Sequence, residues 1–284
     1  CIRDIIRCAP DDIEMQLVGV TTDPLRRPVG KWTRCEINGA SFDFYPLLAV
    51  ADLTRQSRIP LSVRYTWRLL FDRPFRDVDV MHFDRIEPIL PLFLSASAKV
   101  LILHQNMKVL HDKSSDIRWK YLPGGYFFLE KIILNRLDEI YIVREDAVSE
   151  YQKRFPRQSA HLHFLPTWMN PALFYLPDEG DRLRNKQTLL HRFGWGADDP
   201  LMLFVGRLDH QKDPHLMVSA MVNLVETVKN ARLVLVGDGV LRGELEKMIA
   251  LNGLEQHVKL FGVVAQEEVA VMLRSADLLL LSSA

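Results

Sequence analysis

Four short apolar runs, separated by helical patterns, dominate the second half of the chain and restrict it to one class of fold. Residues 201–205 read LMLFV, 232–236 RLVLV, 258–261 VKLF and 278–281 LLLL. Each run is short and predominantly apolar, with the length of a buried strand. Residues 215–228, 241–252 and 267–275 lie between them and carry helical periodicity. A chain that alternates in this way builds βαβ units, so a doubly wound parallel sheet is expected.

The first half repeats the theme with weaker signals. Residues 15–21, 79–83, 99–104 and 139–143 read as strands, with helix-like segments at 87–94 and 125–136. A break follows at 165–180, LPTWMNPALFYLPDEG, where three prolines interrupt all periodicity. A short helix is expected at 189–193, before the second alternation starts. The expected organisation is an N-terminal lobe over 1–165, a linker over 166–180 and a C-terminal lobe over 181–284. At 284 residues the chain has room for two such α/β lobes. Paired sheets of this kind place the default ligand cleft between them, at the carboxyl ends of the strands.

Composition narrows the partners. A hydrophobic share of 48% and a charged share of 25% are those of an ordinary globular protein, and no stretch has the roughly 18 apolar residues of a membrane span. The formal net charge is zero, so nothing calls for nucleic acid. Basic density is local, at Arg64, Arg68, Arg73 and Arg76, interleaved with Tyr65, Trp67 and Phe71. It reads either as a solvated helix face or as a surface for anionic lipid headgroups or an anionic acceptor. Cys1, Cys8 and Cys35 have no metal-binding spacing and cannot all pair, which fits a reducing cytoplasm. The opening residues, with Ile2, Ile5 and Ile6, enter mid-pattern in an amphipathic helix, as a fragment of a longer protein would.

The chemistry concentrates at residues 203–221, LFVGRLDHQKDPHLMVSAM. A buried strand runs into Gly206, where a side chain would crowd a ligand, and Arg207 follows at once. Arg207 offers a planar fork of donors for phosphate oxygens, and Lys212 adds a compact positive charge near a helix start at Pro214. The first amides of that helix would add to the attraction for an anion. Such a set can hold a diphosphate and stabilise it as a leaving group without calling on a metal. The bland alternative is an exposed Arg and Lys on a loop. Gly237, Gly239 and Gly243 form G-x-G-x-x-x-G after the next strand and raise a dinucleotide site. However, the spacing is one residue too long, and the following strand lacks the acid that would hold a ribose.

The runs GRLDHQK, ARLVLVGDGVLRGELE and VKLFGVVAQEEVAVMLRSADLLLLSS, taken in order, resemble glycosyltransferase family 4. The first half fits more loosely, through LEKIILNRLDEIYIVRED at 129–146, and Thr167 and Trp168 replace the family's usual Asn-Gly in the linker. The resemblance implies a GT-B fold, two Rossmann-like lobes with parallel sheets facing across a cleft. It also implies a retaining transfer of a sugar from an NDP-sugar to a hydroxyl of a glycan or glycolipid, with no cofactor and no metal. Arg207 and Lys212, with Gly206, match the grip on the donor diphosphate. Phe261, Gly262, Val263 and Val264 match the loop that receives the nucleotide base. His104 matches a histidine facing the transferred sugar, and His82, at the neighbouring strand end, is a weaker candidate for the same cleft. The acceptor is expected on the N-terminal lobe, with peripheral membrane contact through that lobe as the lipid-facing reading.

Several residues read as structural. His161 and His163 sit two apart without a third metal ligand, Glu130 reads as a buried hydrogen-bonding group, and Glu267 and Glu268 suit a helix N-terminus. Family members carry a glutamate pair shortly beyond the strand that here reads LLLLSS, and a Gly-rich loop before the position of Cys1. Neither falls within residues 1–284, so this polypeptide is expected to bind donor weakly and transfer nothing. The alternatives are a nucleotide-sugar epimerase or hydrolase of the same fold, and a non-catalytic nucleotide-binding protein.

Overall fold

A computed structural model describes residues 2–37, 39–50, 59–75, 78–104 and 123–282. Arg76 of the basic cluster and Cys1 lie outside them. Contacts divide the chain into two units, one ending at Trp168 and the other starting at Met169.

The first unit holds two sheets. Strands β4 (Val80–Phe83), β5 (Ala98–Leu103), β6 (Glu139–Ile142) and β7 (Leu162–Phe164) pair in that order, all parallel. Helices α2 (Leu61–Asp72), α3 (Pro123–Leu134) and α4 (Glu145–Arg154) supply much of the cover, around a core that includes Leu69, Leu101, Ile133, Ile140 and Tyr151. The other sheet is mixed, in the order β1-β3-β2. Strand β1 (Gln16–Thr21) runs parallel to β3 (Ala40–Ala49), and β2 (Thr33–Ile37) returns antiparallel to β3. The short helix α1 (Ile2–Cys8) buries Ile6 against Phe42 and Phe44.

Purely parallel pairing was therefore too simple an expectation for this half. The missed feature is the β2–β3 hairpin, signalled by the dipeptide Asn38-Gly39 between alternating apolar residues. Gly39 has φ +86°, the left-handed backbone such turns require. The helical pattern at 87–94 forms a 3₁₀ helix over Glu87–Leu92 instead of an α-helix, because Pro91, inside the segment, removes a backbone donor.

The second unit is a doubly wound sheet in the order β10-β9-β8-β11, parallel throughout. Strands β8 (Leu201–Val205), β9 (Arg232–Val236) and β10 (Val258–Gly262) step outward, and the chain then returns to set β11 (Leu278–Leu279) on the other side of β8. Helices α6 (Pro214–Thr227) and α7 (Arg242–Leu251) bury Met217, Val218, Met221, Leu245 and Ile249 against one face. On the other face, Leu189 and Leu190 of α5 (Glu179–Arg192) and Met272 of α8 (Gln266–Ser275) pack with Leu203 and Val234. Helix α5 begins ten residues before the expected short helix. Asp178 caps it by accepting from the Asp181 amide at 2.7 Å, and most of its surface is polar, which hid its apolar stripe.

The chain reverses direction across this sheet between β8 and β11. Open α/β sheets bind ligands at such a switch point, outside the carboxyl ends of the strands.

Candidate functional site

The carboxyl edge of the second sheet brings together the residues the sequence singled out there. Gly206 follows β8 and donates to the Val236 carbonyl at 2.9 Å. Leu208 N donates to the Asp238 carbonyl at 3.0 Å, and Gly237 N to the Gly262 carbonyl at 2.8 Å. Backbone hydrogen bonds thus join the ends of β8, β9 and β10. Two glycines make that approach possible. A Cβ on Gly237, which has φ +134°, would fall 1.9 Å from the Gly206 carbonyl oxygen, and one on Gly239 would fall 2.3 Å from that of Leu208. The G-x-G that raised a dinucleotide site thus has a packing duty.

Arg207 projects from this edge with 65% of its side chain exposed. Its guanidinium is nevertheless positioned: Nη1 lies 2.8 Å from Asp209 Oδ2, and Nη2 donates to Gln211 Oε1 at 3.0 Å. Asp209 is buried, and its Oδ1 accepts from the Lys212 amide at 3.2 Å. Its Oδ2 makes no aligned hydrogen bond, so the contact with Arg207 is ionic. Asp209 therefore pairs with the Arg207 guanidinium and anchors the backbone at Lys212, a role that the G-R-x₄-K pattern alone does not reveal. A buried acid two residues from Arg207 and three from Lys212 was the available signal.

Helix α6 starts at Pro214 as expected, but its N-terminus is already capped. Asp213, with φ +38°, accepts from the Leu216 amide, so that donor is not presented to an external anion. Ser282, beyond β11, donates to the Asp213 carbonyl at 3.0 Å and ties the other side of the switch point to the same loop.

At the end of β10, Gly262 has φ +85°. The Phe261 ring turns inward, edge-on to Phe193 at 5.4 Å and under Arg192 at 4.6 Å. Val264 packs with the same cluster and Val263 stands 77% exposed. The loop therefore presents backbone and one apolar side chain, while the Phe261 ring serves the fold.

His104 lies in the other unit, one residue past β5. Its Nε2 is 3.0 Å from Asp84 Oδ1, and His82 Nε2 is 3.7 Å from the same oxygen. One carboxylate thus stands between two imidazoles at adjacent strand ends. Burial pulls His82 below its usual pKa, Asp84 opposes this, and the nearby His104 adds to the lowering. Asp84 follows His82 by two residues at the same strand end, a spacing that marks it in the sequence only once its place between the two imidazoles is known.

The residues read as structural behave so. Glu130 is fully buried, accepting from Tyr151 Oη at 3.1 Å and from Arg154 Nη2 at 2.6 Å. His163 Nε2 meets Glu139 Oε2 at 2.7 Å, and His161 lies 3.6 Å from the other oxygen. Glu268, in the first turn of α8, pairs with Arg192 at 2.6 Å. Among the described residues no group of His, Cys, Asp or Glu is arranged to hold a metal ion, and no helix is long and apolar enough to cross a membrane.

Known proteins resemble the chain in sequence and in fold. Residues 185–284 match the family described as Glycosyl transferases group 1. An alpha-D-kanosaminyltransferase of Streptomyces kanamyceticus is 30% identical over 105 residues, 37% of this chain and 27% of that protein. A GDP-mannose-dependent alpha-(1-6)-phosphatidylinositol monomannoside mannosyltransferase of Mycolicibacterium smegmatis is 25% identical over 204 residues, 71% of this chain and 50% of that protein. The chain thus spans half or less of these relatives' lengths. The crystal structure of Anabaena HepE with UDP and glucose superposes at a TM-score of 0.61 and 14% identity, covering 85% of this chain and 61% of that one. The family match and the relatives support a glycosyltransferase, and the chain has the α/β fold of the GT-B glycosyltransferases.

Proposed function

We propose that the chain belongs to a retaining, metal-independent glycosyltransferase of family 4 that moves a sugar from an NDP-sugar to a hydroxyl of a glycan or glycolipid. One observation carries the reading: at the switch point of the second sheet, buried Asp209 pairs with the Arg207 guanidinium and accepts from the backbone amide of Lys212. As the sugar–phosphate bond breaks, negative charge collects on the departing diphosphate. Fixed cations aimed at that place stabilise the charge without reorganising during the step. Gly206 makes room for the buried Phe204 ring, which an added Cβ would meet at 2.9 Å, and its backbone is assigned to the diphosphate; the loop Phe261–Gly262–Val263–Val264 receives the base chiefly through its backbone.

The acceptor is assigned to the first unit, residues 1–165, and the donor to the second, residues 181–284, with 166–180 as the linker. His104, held by Asp84, faces the transferred sugar. Peripheral membrane contact is assigned to the first unit, at a cytoplasmic membrane face, and two names support the lipid-linked acceptor that such contact would serve. One is the phosphatidylinositol monomannoside mannosyltransferase; the other is a Campylobacter jejuni transferase whose name specifies an undecaprenol-linked acceptor.

The test is Arg207→Ala. Titration of UDP, GDP and ADP, followed by NMR, names the base. The substitution is expected to weaken the best of them about 10- to 100-fold with an unchanged circular dichroism spectrum. In a longer form carrying the paired glutamates it is expected to cut turnover by orders of magnitude. Unchanged affinity and turnover would sink the diphosphate assignment. Efficient transfer by residues 1–284 alone would show that the donor-sugar contacts lie elsewhere than proposed.

A further inference from the structure

Helix α2 has two apolar faces, and only one is used by the fold. Leu69 is buried, and Tyr65 Oη donates to the Val18 carbonyl at 2.9 Å, which commits that side to the core of the first unit. On the other side Val63 is 47% exposed, Trp67 66%, Leu70 42% and Phe71 70%. At 3.6 residues per turn these positions (i, i+4, i+7 and i+8) fall on one stripe roughly 100° wide. The Trp67 and Phe71 rings lie 5.9 Å apart along it, and Ile59, also exposed, precedes the helix. Single exposed apolar residues are ordinary on any surface; a continuous stripe of two aromatic and two aliphatic side chains is not.

The flanking charges select what covers the stripe. Arg64 and Arg68 fall on the flank between the stripe and the buried face, and Arg73 stands at the C-terminal end. Asp72 is the only acid between positions 59 and 75, and it pairs with Arg68 at 2.9 Å. Arg73 also lines a cavity of about 430 Å³ with Gln16, Trp32, Asp72 and Pro74, so a second half-exposed indole adjoins this end of the helix. A second copy of the chain would bring the same arginines face to face across the contact, which like charge opposes. An anionic bilayer complements both parts: the rings insert at headgroup depth while the guanidinium groups pair with phosphates.

We propose that the stripe of Val63, Trp67, Leu70 and Phe71, with Arg64, Arg68 and Arg73, is the surface through which the first unit docks on an anionic lipid bilayer. The inference rests on the membrane contact proposed above and is independent of sugar transfer. The whole chain is sedimented with phosphatidylcholine vesicles, with and without phosphatidylglycerol, at low and high salt. Binding is expected only with the anionic vesicles and is expected to weaken in salt. Trp67→Ser with Phe71→Ser should lower partitioning at least about 10-fold while leaving the melting temperature unchanged, because both side chains are exposed. Arg64→Gln, Arg68→Gln and Arg73→Gln together should remove the preference for anionic lipid. Quenching of tryptophan emission by brominated lipid should fall in Trp67→Phe, a variant that keeps the aromatic face. Equal binding to both vesicle types, or full binding by the Ser variants, overturns the proposal. So does a dimer in sedimentation velocity that the Ser variants abolish, since it gives the face to a second copy. No vesicle binding at all overturns the membrane contact itself and leaves transfer to a soluble acceptor as a separate question.

Discussion

The carboxyl edges of the two parallel sheets solve the same problem with different materials. In the second unit the edge is made of backbone: three strand ends are hydrogen-bonded at Gly206, Leu208, Gly237 and Gly262, close enough that two glycines admit no Cβ. There the Arg207 guanidinium is held by buried Asp209, which also accepts from the Lys212 backbone amide. In the first unit the edge at β4 and β5 is made of side chains, with Asp84 between His82 and His104 and about a third of each side chain open to solvent. A backbone edge holds its shape when its charges are changed. A side-chain edge is organised by those charges, and it reorganises when they are removed.

The largest effect expected from that contrast is at Gly237. An alanine there must move the Gly206 carbonyl and adopt φ +134°, a conformation L-residues rarely take. Gly237→Ala is expected to destabilise the second unit by about 3 kcal/mol or more in urea unfolding, and Gly239→Ala by about the same, since its Cβ meets backbone at 2.3 Å. Gly243, in the first turn of α7, has nothing within 4 Å of the place an added methyl carbon would take. Gly243→Ala is expected to stabilise by about 0.5–1 kcal/mol through helix propensity. Equal costs at Gly237 and Gly243 would mean that the strand-end loops are loose and that the backbone description of this edge is wrong.

A smaller effect separates the units by acid. Burial pushes the Asp277 carboxyl upward, but the Leu201 amide at 2.8 Å, Lys186 Nζ at 2.6 Å and Arg182 Nη1 at 3.0 Å outweigh it, so its folded pKa lies below the usual 3.8. Its contribution is complete above that value and is lost as pH falls through the lower folded pKa. Glu130 in the first unit is opposite: burial raises it above the usual 4.5, against the pull of Arg154 and Tyr151. Only between 4.5 and its higher folded pKa does the folded form hold a proton that the unfolded chain has released, so its contribution declines as pH rises through that window. Acid should therefore loosen the second unit before the first, as read by amide exchange corrected for intrinsic rates. Asp277→Asn should cost about 1–2 kcal/mol at neutral pH and flatten the acid response of the second unit. Glu130→Gln should flatten the response of the first unit alone. A common midpoint for both units, unmoved by either variant, would break the distinction.

The same contrast explains what the sequence made legible. Strand and helix order in the second unit was readable because runs such as LMLFV and RLVLV are strongly apolar and each runs into a glycine, of which Gly237 has φ +134°. Gly206, Arg207 and Lys212 could be placed at one edge from the end of β8, and the 261–264 loop joined them through the family resemblance. The β2–β3 hairpin was legible in principle from Asn38-Gly39, but half-buried alternation reads weakly beside fully buried runs. Asp84 was not legible, because one of the two imidazoles it faces is twenty residues away, and Asp209 was legible only by its place between Arg207 and Lys212, since its burial shows only in the fold. The Phe261 ring could be placed in its loop, but only packing on Phe193 and Arg192 shows that it turns away from the edge.

The smallest effect is also the sharpest test of the side-chain edge. His82 is held below the usual 6.5 chiefly by burial, with the nearby His104 adding to the lowering and Asp84 alone opposing it. Removing the carboxylate charge in Asp84→Asn should therefore lower the His82 pKa further, while His104→Gln should raise it, each read from the imidazole resonances in an NMR titration. Because the folded pKa lies below the unfolded one, His82 favours the folded state above that window. That contribution is lost as pH falls through 6.5 toward the folded value, and the loss should be steeper in Asp84→Asn. A rise of the His82 pKa in Asp84→Asn would mean that the carboxylate turns away from His82 and serves His104 alone. The edge of the first unit would then reduce to one oriented imidazole, and His82 would leave the candidate site.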